Sequence, residues 1–212
     1  MSTPPDRRTR KRLATRQEIS NAATRLFMER GFDHVTVDEI AEVADVGRMT
    51  VFNHFPRKED LFFDLDEEGR DLLRDALRRR DPLTPPIETL RLLAHRLVAE
   101  KRSFLEFSER SQSFIATIEG SETLKARARA IRDELAQVVA GGLSQGAGRE
   151  PIDPGAQLAA HLLLATWSVA FIQAHRTFRL SHDPEKAKAV FLAMVDQGAV
   201  GVKAAMAGTP YA

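Results

Sequence analysis

TVDEIAEVADVGRMTVFNHF, residues 36–55, contains two short helical patterns separated by a tight break. Ile40, Ala41 and Ala44 give the first pattern an apolar face, and Val51, Phe52 and Phe55 give the second one. Asp45-Val46-Gly47 between them is too short to be anything but a turn. Thr36 followed by Glu39 spells a capping box, in which the hydroxyl and the carboxylate each satisfy a backbone N–H of the other, so the first helix has a defined start. Two short helices joined by such a turn are the sequence form of a helix-turn-helix.

The second helix turns Arg48, Met49, Thr50, Asn53 and His54 away from its apolar side. This set suits a major groove: arginine bonds guanine bidentately, asparagine bonds adenine, and the threonine methyl touches thymine. Taken alone, the same spacing also fits a solvated turn in an ordinary helical domain.

The surrounding residues separate the two readings. Thr36-Val37, Ile40-Ala41, Ala44, Val46, Thr50, His54-Phe55 and Lys58-Glu59, with Ile19, Ala22, Ala23, Leu26, Phe27, Gly31 and Phe32 upstream, resemble the DNA-binding signature of the TetR family of bacterial transcriptional repressors. The resemblance runs ungapped from roughly Leu13 to Leu61. It implies a three-helix DNA-binding domain followed by a helical domain that dimerises and binds a small effector. It also implies DNA contacts from Thr36, Arg48, Met49, Thr50, Phe52, Asn53, His54, Arg57 and Lys58, of which Thr36, His54 and Lys58 are expected at phosphates. Four positions depart from the family pattern. Asp45 replaces a usual glycine in the turn, but aspartate tolerates the left-handed conformation better than most residues. Gly47 replaces a usual serine cap and is itself an acceptable cap. Phe52 replaces a common tyrosine, losing a hydroxyl that meets phosphate, and Arg57 replaces a common serine, adding a basic group.

The whole chain has 212 residues, 43% hydrophobic and 29% charged, with a net charge of +1. It is globular in composition and not a polycation. The charge is uneven: Arg7, Arg8, Arg10, Lys11, Arg12 and Arg16 face only Asp6 within the first 16 residues. A basic arm beside a DNA reader can follow phosphates or enter a minor groove. Residues 1–12 read as a disordered arm, 13–58 as the helix-turn-helix domain and 59–212 as the effector-binding and dimerisation domain. No cysteine is present, which excludes disulfides and thiolate chemistry and suits the cytoplasm. The basic N-terminus has no apolar run after it and so is no signal peptide.

Beyond the helix-turn-helix, one long helix is expected from Glu59 to Arg80, ended by DPLTPP at residues 81–86. Ile87, Leu90, Ala94 and Leu97 mark the next. Phe104, Phe107, Ser111, Phe114 and Ile118 mark another, and Leu124 to Val138 a further one, with a Gly- and Pro-rich loop from Gly141 to Gly155. Asp153-Pro154 and Asp183-Pro184 open two last helices. The fold class is all-α, with about nine helices. Pro154 to His175 carries no Asp, Glu, Lys or Arg over 22 residues. A bilayer needs ~20 apolar residues, but Gln157, His161, Thr166, Ser168 and Gln173 interrupt this run, so a buried helix is the expectation and no membrane partner. Leu164, Trp167, Phe171, His175 and Phe178 form one stripe on it, and Leu158, Leu162, Ala165, Val169 and Ile172 a second. A helix apolar on two sides is buried on both. With Met194, Gly198, Gly201 and Ala205 aligned on the last helix, this suggests a four-helix interface between two subunits.

No HExxH, P-loop or GxSxG motif appears. His161 and His175 would stand about 21 Å apart on one helix and cannot share a metal. Neither an enzyme nor a metal or cofactor site is expected. The sequence therefore reads as a homodimeric DNA-binding regulator, most simply a repressor. Its expected partners are double-stranded DNA with a palindromic operator and an apolar or amphipathic effector seated against Phe104, Phe107, Ser111, Phe114, Trp167, Phe171 and His175. The competing reading is a helical DNA-binding or scaffold protein with no effector.

Overall fold

The computed structural model describes residues 6–151 and 153–212. Among them are ten α-helices, one short 3-10 turn and no strand: α1 (Arg7–Arg30), α2 (Val37–Val43), α3 (Arg48–His54), α4 (Lys58–Phe62), α5 (Asp66–Arg78), α6 (Pro86–Ala99), the turn Ser103–Leu105, α7 (Glu109–Gly120), α8 (Glu122–Gly146), α9 (Pro154–Ser181) and α10 (Pro184–Ala205). They form two compact units. The first takes the chain up to Asp64 with Ser113–Arg127; the second takes Leu65–Gln112 and Ala128–Ala212.

The first unit is built on one apolar core. Ile19, Ala23, Leu26 and Phe27 of α1 meet Phe32 and Val35 of the following loop, Ile40 and Ala41 of α2, Val51 and Phe55 around α3, Leu61 and Phe62 of α4, and Leu124. The expected domain, 13–58, is thus too short at its C-terminal end and misses a segment some fifty residues on, because packing between distant segments leaves no local pattern. The expected disordered arm is also corrected. Residues 1–5 lie outside the described residues, but Arg7 to Arg12 are the first turns of α1. Asp6 caps that helix by accepting the Thr9 N–H at 2.7 Å, and arginine and lysine are good helix formers.

The single long helix expected from Glu59 to Arg80 is two helices, α4 and α5. Phe62 stacks on Phe114 at 4.4 Å, and Phe63 meets Phe114 edge-on at 6.1 Å. Asp64 accepts Ser20 on its carboxylate and Arg16 on its carbonyl. These tertiary contacts hold residues 63–65 off the helical path. Asp66, Glu67 and Glu68 then favour a new start, since acids are stabilised at a helix N-terminus. The expected loop from Gly141 is corrected in the opposite direction: α8 runs on to Gly146. Gly142 is there for proximity, as a Cβ on it would lie 2.6 Å from Leu77 Cδ1.

In the second unit, α9 and α10 form a helical hairpin turned at His182, which takes the left-handed conformation at φ 52°. Ala159, Ala160, Leu163, Ala170, Ala174 and Phe178 of α9 are buried, as are Ala187, Phe191, Val195, Ala199 and Val202 of α10. The two helices approach so closely that a Cβ on Gly198 would lie 1.9 Å from Thr166 Cγ2. Polar links join α6 to α10: Arg91 to Asp196 at 2.8 Å, His95 to Asp196 at 2.7 Å and Lys203 to Glu88 at 2.6 Å. Hydrogen bonds from Arg91 and Lys203 hold the Glu88 carboxyl at about 2.

Two expectations about α9 part company. Its first stripe faces the core. Its second stays exposed on the single chain, with Leu158 at 51%, Val169 at 46% and Ile172 at 61% exposure. By length and composition α9 could cross a membrane, yet its inner face packs on the rest of the unit.

The Gly198–Thr166 contact yields a direct expectation. Gly198→Ala overpacks the hairpin and costs about 1–3 kcal/mol, several degrees in Tm. Adding Thr166→Ala removes the two nearest atoms and recovers most of that loss. Thermal unfolding of the single and double variants measures both effects, and a Gly198→Ala chain as stable as wild type would contradict the close approach.

Candidate DNA-binding and effector sites

A seven-residue helix does not hold itself together in water, so α3 depends on its frame. Thr36 accepts the Glu39 N–H at 3.2 Å, while its own N–H and hydroxyl donate to the Glu39 carboxylate at 2.7 and 2.8 Å. The expected capping box is therefore present, and Thr36 is occupied by it. Glu39 also takes Arg30 at 2.5 Å and is held down to about 2, chiefly by the Thr36 N–H. Asp45 carries the turn at φ 51°, the left-handed conformation expected of it, and Gly47 caps α3 with its carbonyl. At the far end, Arg16 of α1 donates to the His54 carbonyl at 2.6 Å and lies 3.9 Å over the Phe55 ring. It satisfies a carbonyl that the helix end would leave orphaned.

Val51 and Phe55 are buried. Met49 is 70% exposed, and Arg48, Asn53 and Arg57 are exposed beside it. Thr50, Phe52 and His54 are half-buried, so Phe52 is not the core residue its spacing suggests. The Arg48 guanidinium bonds Asp38 of α2 at 2.7 Å and stands 5.5 Å from the Phe52 ring centre. Asp38 thus aims Arg48 across the face of the motif. Sequence reasoning missed Asp38 and placed Arg16 in the basic arm rather than at the end of α3. Ten residues separate Asp38 from Arg48 and 38 separate Arg16 from His54, so neither pair leaves a local signal. Burial, then the Arg12 and Arg16 charges, lower the His54 pKa and favour its neutral ring.

Lys58, expected at a phosphate, has an internal partner. Its ammonium donates to the Phe32 carbonyl at 2.5 Å and sits 4.2 Å over the Phe32 ring, and burial lowers its pKa.

Of the seven residues expected around an effector, Trp167, Phe171 and His175 share α9, but Phe104, Phe107, Ser111 and Phe114 do not share one helix. Phe104 belongs to the 3-10 turn and Phe107 precedes α7, whose start is set by a Ser108–Ser111 pair. Ser111 accepts the Ser108 N–H at 2.9 Å and donates to its carbonyl at 2.9 Å, so its hydroxyl is spent on the cap. Phe114 packs in the first unit, on Phe62. What does come together, in the second unit, is Phe107, Phe171 and His175. Phe107 lies 5.0 Å and Phe171 4.3 Å from the His175 ring, both edge-on. Phe191 of α10 joins them, 6.3 Å from Phe107 and 6.4 Å from Trp167. Phe191 and Gln112 were not anticipated; Gln112 donates to the His175 carbonyl at 3.1 Å and stands 3.1 Å from its Nδ1. Burial pushes the His175 pKa down to about 4, so the ring is neutral near pH 7. A separate groove of about 670 Å³ between α5 and α8 is lined by Asp71, Arg74, Asp75 and Arg78, with no aromatic residue.

Residues 19–65 match the family model described as bacterial regulatory proteins, tetR family. The repressor Rv1474c of Mycobacterium tuberculosis is 31% identical over 135 residues, 58% of this chain and 72% of that protein. The chain belongs to the TetR family. The transcriptional regulator YhgD of Bacillus subtilis is 28% identical over 155 residues, 69% of this chain and 76% of its own. Among solved structures, NalD of Pseudomonas aeruginosa, the secondary repressor of the MexAB-OprM multidrug efflux pump, superposes with a TM-score of 0.56 at 25% identity, covering 87% of this chain and 96% of NalD. As a TetR-family member the protein is a DNA-binding transcriptional regulator, and α2–turn–α3 is its helix-turn-helix.

Three expectations follow for this TetR-family helix-turn-helix and the helix after it. Arg48→Ala should cost about 1–3 kcal/mol of operator affinity and relax preference at one base pair. Asp38→Asn should lower that preference with little loss of stability, because an exposed ion pair contributes about 0.2–1 kcal/mol. Selection of bound sequences from a random DNA pool reads both. Lys58→Ala should lower Tm, since a hydrogen bond to a charged group contributes about 1.5–3 kcal/mol. It should leave the dependence of log K on log salt unchanged, whereas loss of a phosphate contact reduces that slope by about 1.

Proposed function

We propose that the protein is a cytoplasmic repressor that binds a palindromic operator as a homodimer and is released by a small apolar or amphipathic effector. The observation that carries this reading is the exposed apolar stripe of α9 and α10. Ile172 at 61% and Val200 at 69% exposure, with Leu158, Leu162 and Val169, leave apolar surface bare on a single chain. Covering it with the same stripe of a second copy makes a four-helix interface with two-fold symmetry. Two recognition helices related by that symmetry read two half-sites, which makes the operator an inverted repeat. Named repressors among the relatives support repression. The aromatic cluster around His175 supports an effector site, because ligand sites are mostly apolar with a few placed polar groups. Such a ligand lowers operator affinity by binding the DNA-incompetent conformation more tightly.

The test is sedimentation of full-length protein alongside footprinting of a selected site. Wild type is expected to be a dimer at micromolar concentration protecting an inverted repeat. Ile172→Glu with Val200→Glu, both exposed in the single chain, is expected to give a folded monomer with operator binding lost. A wild-type monomer, or an asymmetric protected site, would overturn the reading.

A further inference from the structure

The aromatic cluster of the second unit contains two buried polar atoms with no hydrogen-bond partner among the described residues, Trp167 Nε1 and His175 Nε2. An indole nitrogen is always a donor. The character of His175 Nε2 follows from its neighbour. Gln112 faces the His175 carbonyl at 3.1 Å, so the amide must point its NH2 there; its oxygen would oppose a second acceptor. The same NH2 stands 3.1 Å from His175 Nδ1, which must therefore accept. In a neutral imidazole the proton then sits on Nε2. His175 is 5% exposed and its burial keeps the ring neutral. The cluster thus presents two neutral N–H donors and no acceptor for either.

The two donors lie eight residues apart on α9, about 12 Å along its axis. Phe107 and Phe191 bridge them: Trp167 meets Phe191, Phe191 meets Phe107, and Phe107 meets His175. Trp167, Phe171 and Gln112 are only partly buried, so the cluster reaches the surface of its unit. Buried donors without acceptors are costly and rare, and a bound acceptor relieves that cost.

We propose that the effector is an uncharged aromatic or alicyclic molecule bearing hydrogen-bond acceptor oxygens, such as a ketone, ester or quinone, held by Trp167 Nε1 and His175 Nε2 against Phe107, Phe171 and Phe191. This rests on the reading of the second unit as the effector domain and specifies its chemistry. Aromatic rings also attract organic cations. Here, however, both unpartnered groups are N–H donors, whose positive ends repel a cation, and Gln112, Trp167, His175 and the three phenylalanines include no acid to balance one. An anion fares worse than a neutral oxygen, because neither donor carries a charge to offset its desolvation.

The test uses full-length, 15N-labelled protein and four probes on one scaffold: isopropylbenzene, para-isopropylacetophenone, para-isopropylbenzoate and para-isopropylbenzylammonium. Trp167 is the only tryptophan, so a single indole N–H resonance reports on the cluster. The ketone is expected to bind roughly tenfold more tightly than the hydrocarbon, as one hydrogen bond to a buried donor provides. It should move the indole resonance downfield, and both ions should bind more weakly than the ketone. Trp167→Phe should reduce the advantage of the ketone over the hydrocarbon, since one carbonyl oxygen reaches one donor; the wild-type comparison stands without it. Tighter binding of either ion than of the ketone overturns the proposal. So does a hydrocarbon that binds as well as the ketone and weakens operator binding, a result that leaves the effector site itself intact. If no probe shifts the indole resonance at millimolar concentration, the cluster holds no such ligand and this proposal falls, while the dimeric, operator-binding reading stands or falls on sedimentation and footprinting.

Discussion

The recognition helix exists because Val51 and Phe55 are buried in the core of the first unit. Seven residues of helix form too few internal hydrogen bonds to offset the cost of nucleation. Burial of two large side chains offsets it, at ~1.5–3 kcal/mol each. Everything the helix presents follows from that anchoring. With Val51 and Phe55 inward, the helical period places Arg48, Met49 and Asn53 outward. Arg16 completes the arrangement, capping the last carbonyl of α3 while packing on Phe55. Thus α1, a scaffold helix by sequence, also sets where the reading helix ends.

The second unit solves a different packing problem. α9 carries no Asp, Glu, Lys or Arg between Pro154 and His175, and its inner face is dominated by alanine. Alanine allows close helix approach, and at Gly198 even a methyl group is too much. Close backbones bring many dispersion contacts per residue. The ion-pair chain from Glu88 through Arg91 to Asp196 lies at the α6–α10 contact; its members are partly exposed, where such a pair adds only about 0.2–1 kcal/mol.

The two cores differ in polarity. In the first, Phe27, Phe32 and Phe62 pack with tilted and edge-on rings. In the second, Phe107 and Phe171 meet a neutral histidine edge-on, and Phe191 meets an indole whose N–H has no partner among the described residues. A core selected for stability alone has no use for unmatched donors. Gln112 sits at the end of the segment that contributes to the second unit, and Ser113, next on the same helix, begins the segment that contributes to the first.

The sequence by itself determined the elements whose evidence is local. The capping box at Thr36 and Glu39, the left-handed Asp45, the Gly47 cap and the inward Val51 and Phe55 are each specified within one or two turns of chain, where backbone sterics and helical period act. Asp-Pro starts for α9 and α10, and the two apolar stripes of α9, are local in the same sense. What only the tertiary structure decided depends on residues far apart in sequence. The break between α4 and α5 requires Phe114, Arg16 and Ser20 to reach residues 62–64. The extension of α8 through Gly142 requires the side chain of Leu77. The separation of Phe107 from Phe114 requires a serine cap between them and different cores on either side. The ion pair of Arg48 with Asp38, the capture of Lys58 by Phe32 and the tautomer of His175 are equally non-local. Periodicity states which face of a helix is apolar; it cannot state which partner covers that face, because the partner is chosen by the packing of the whole chain.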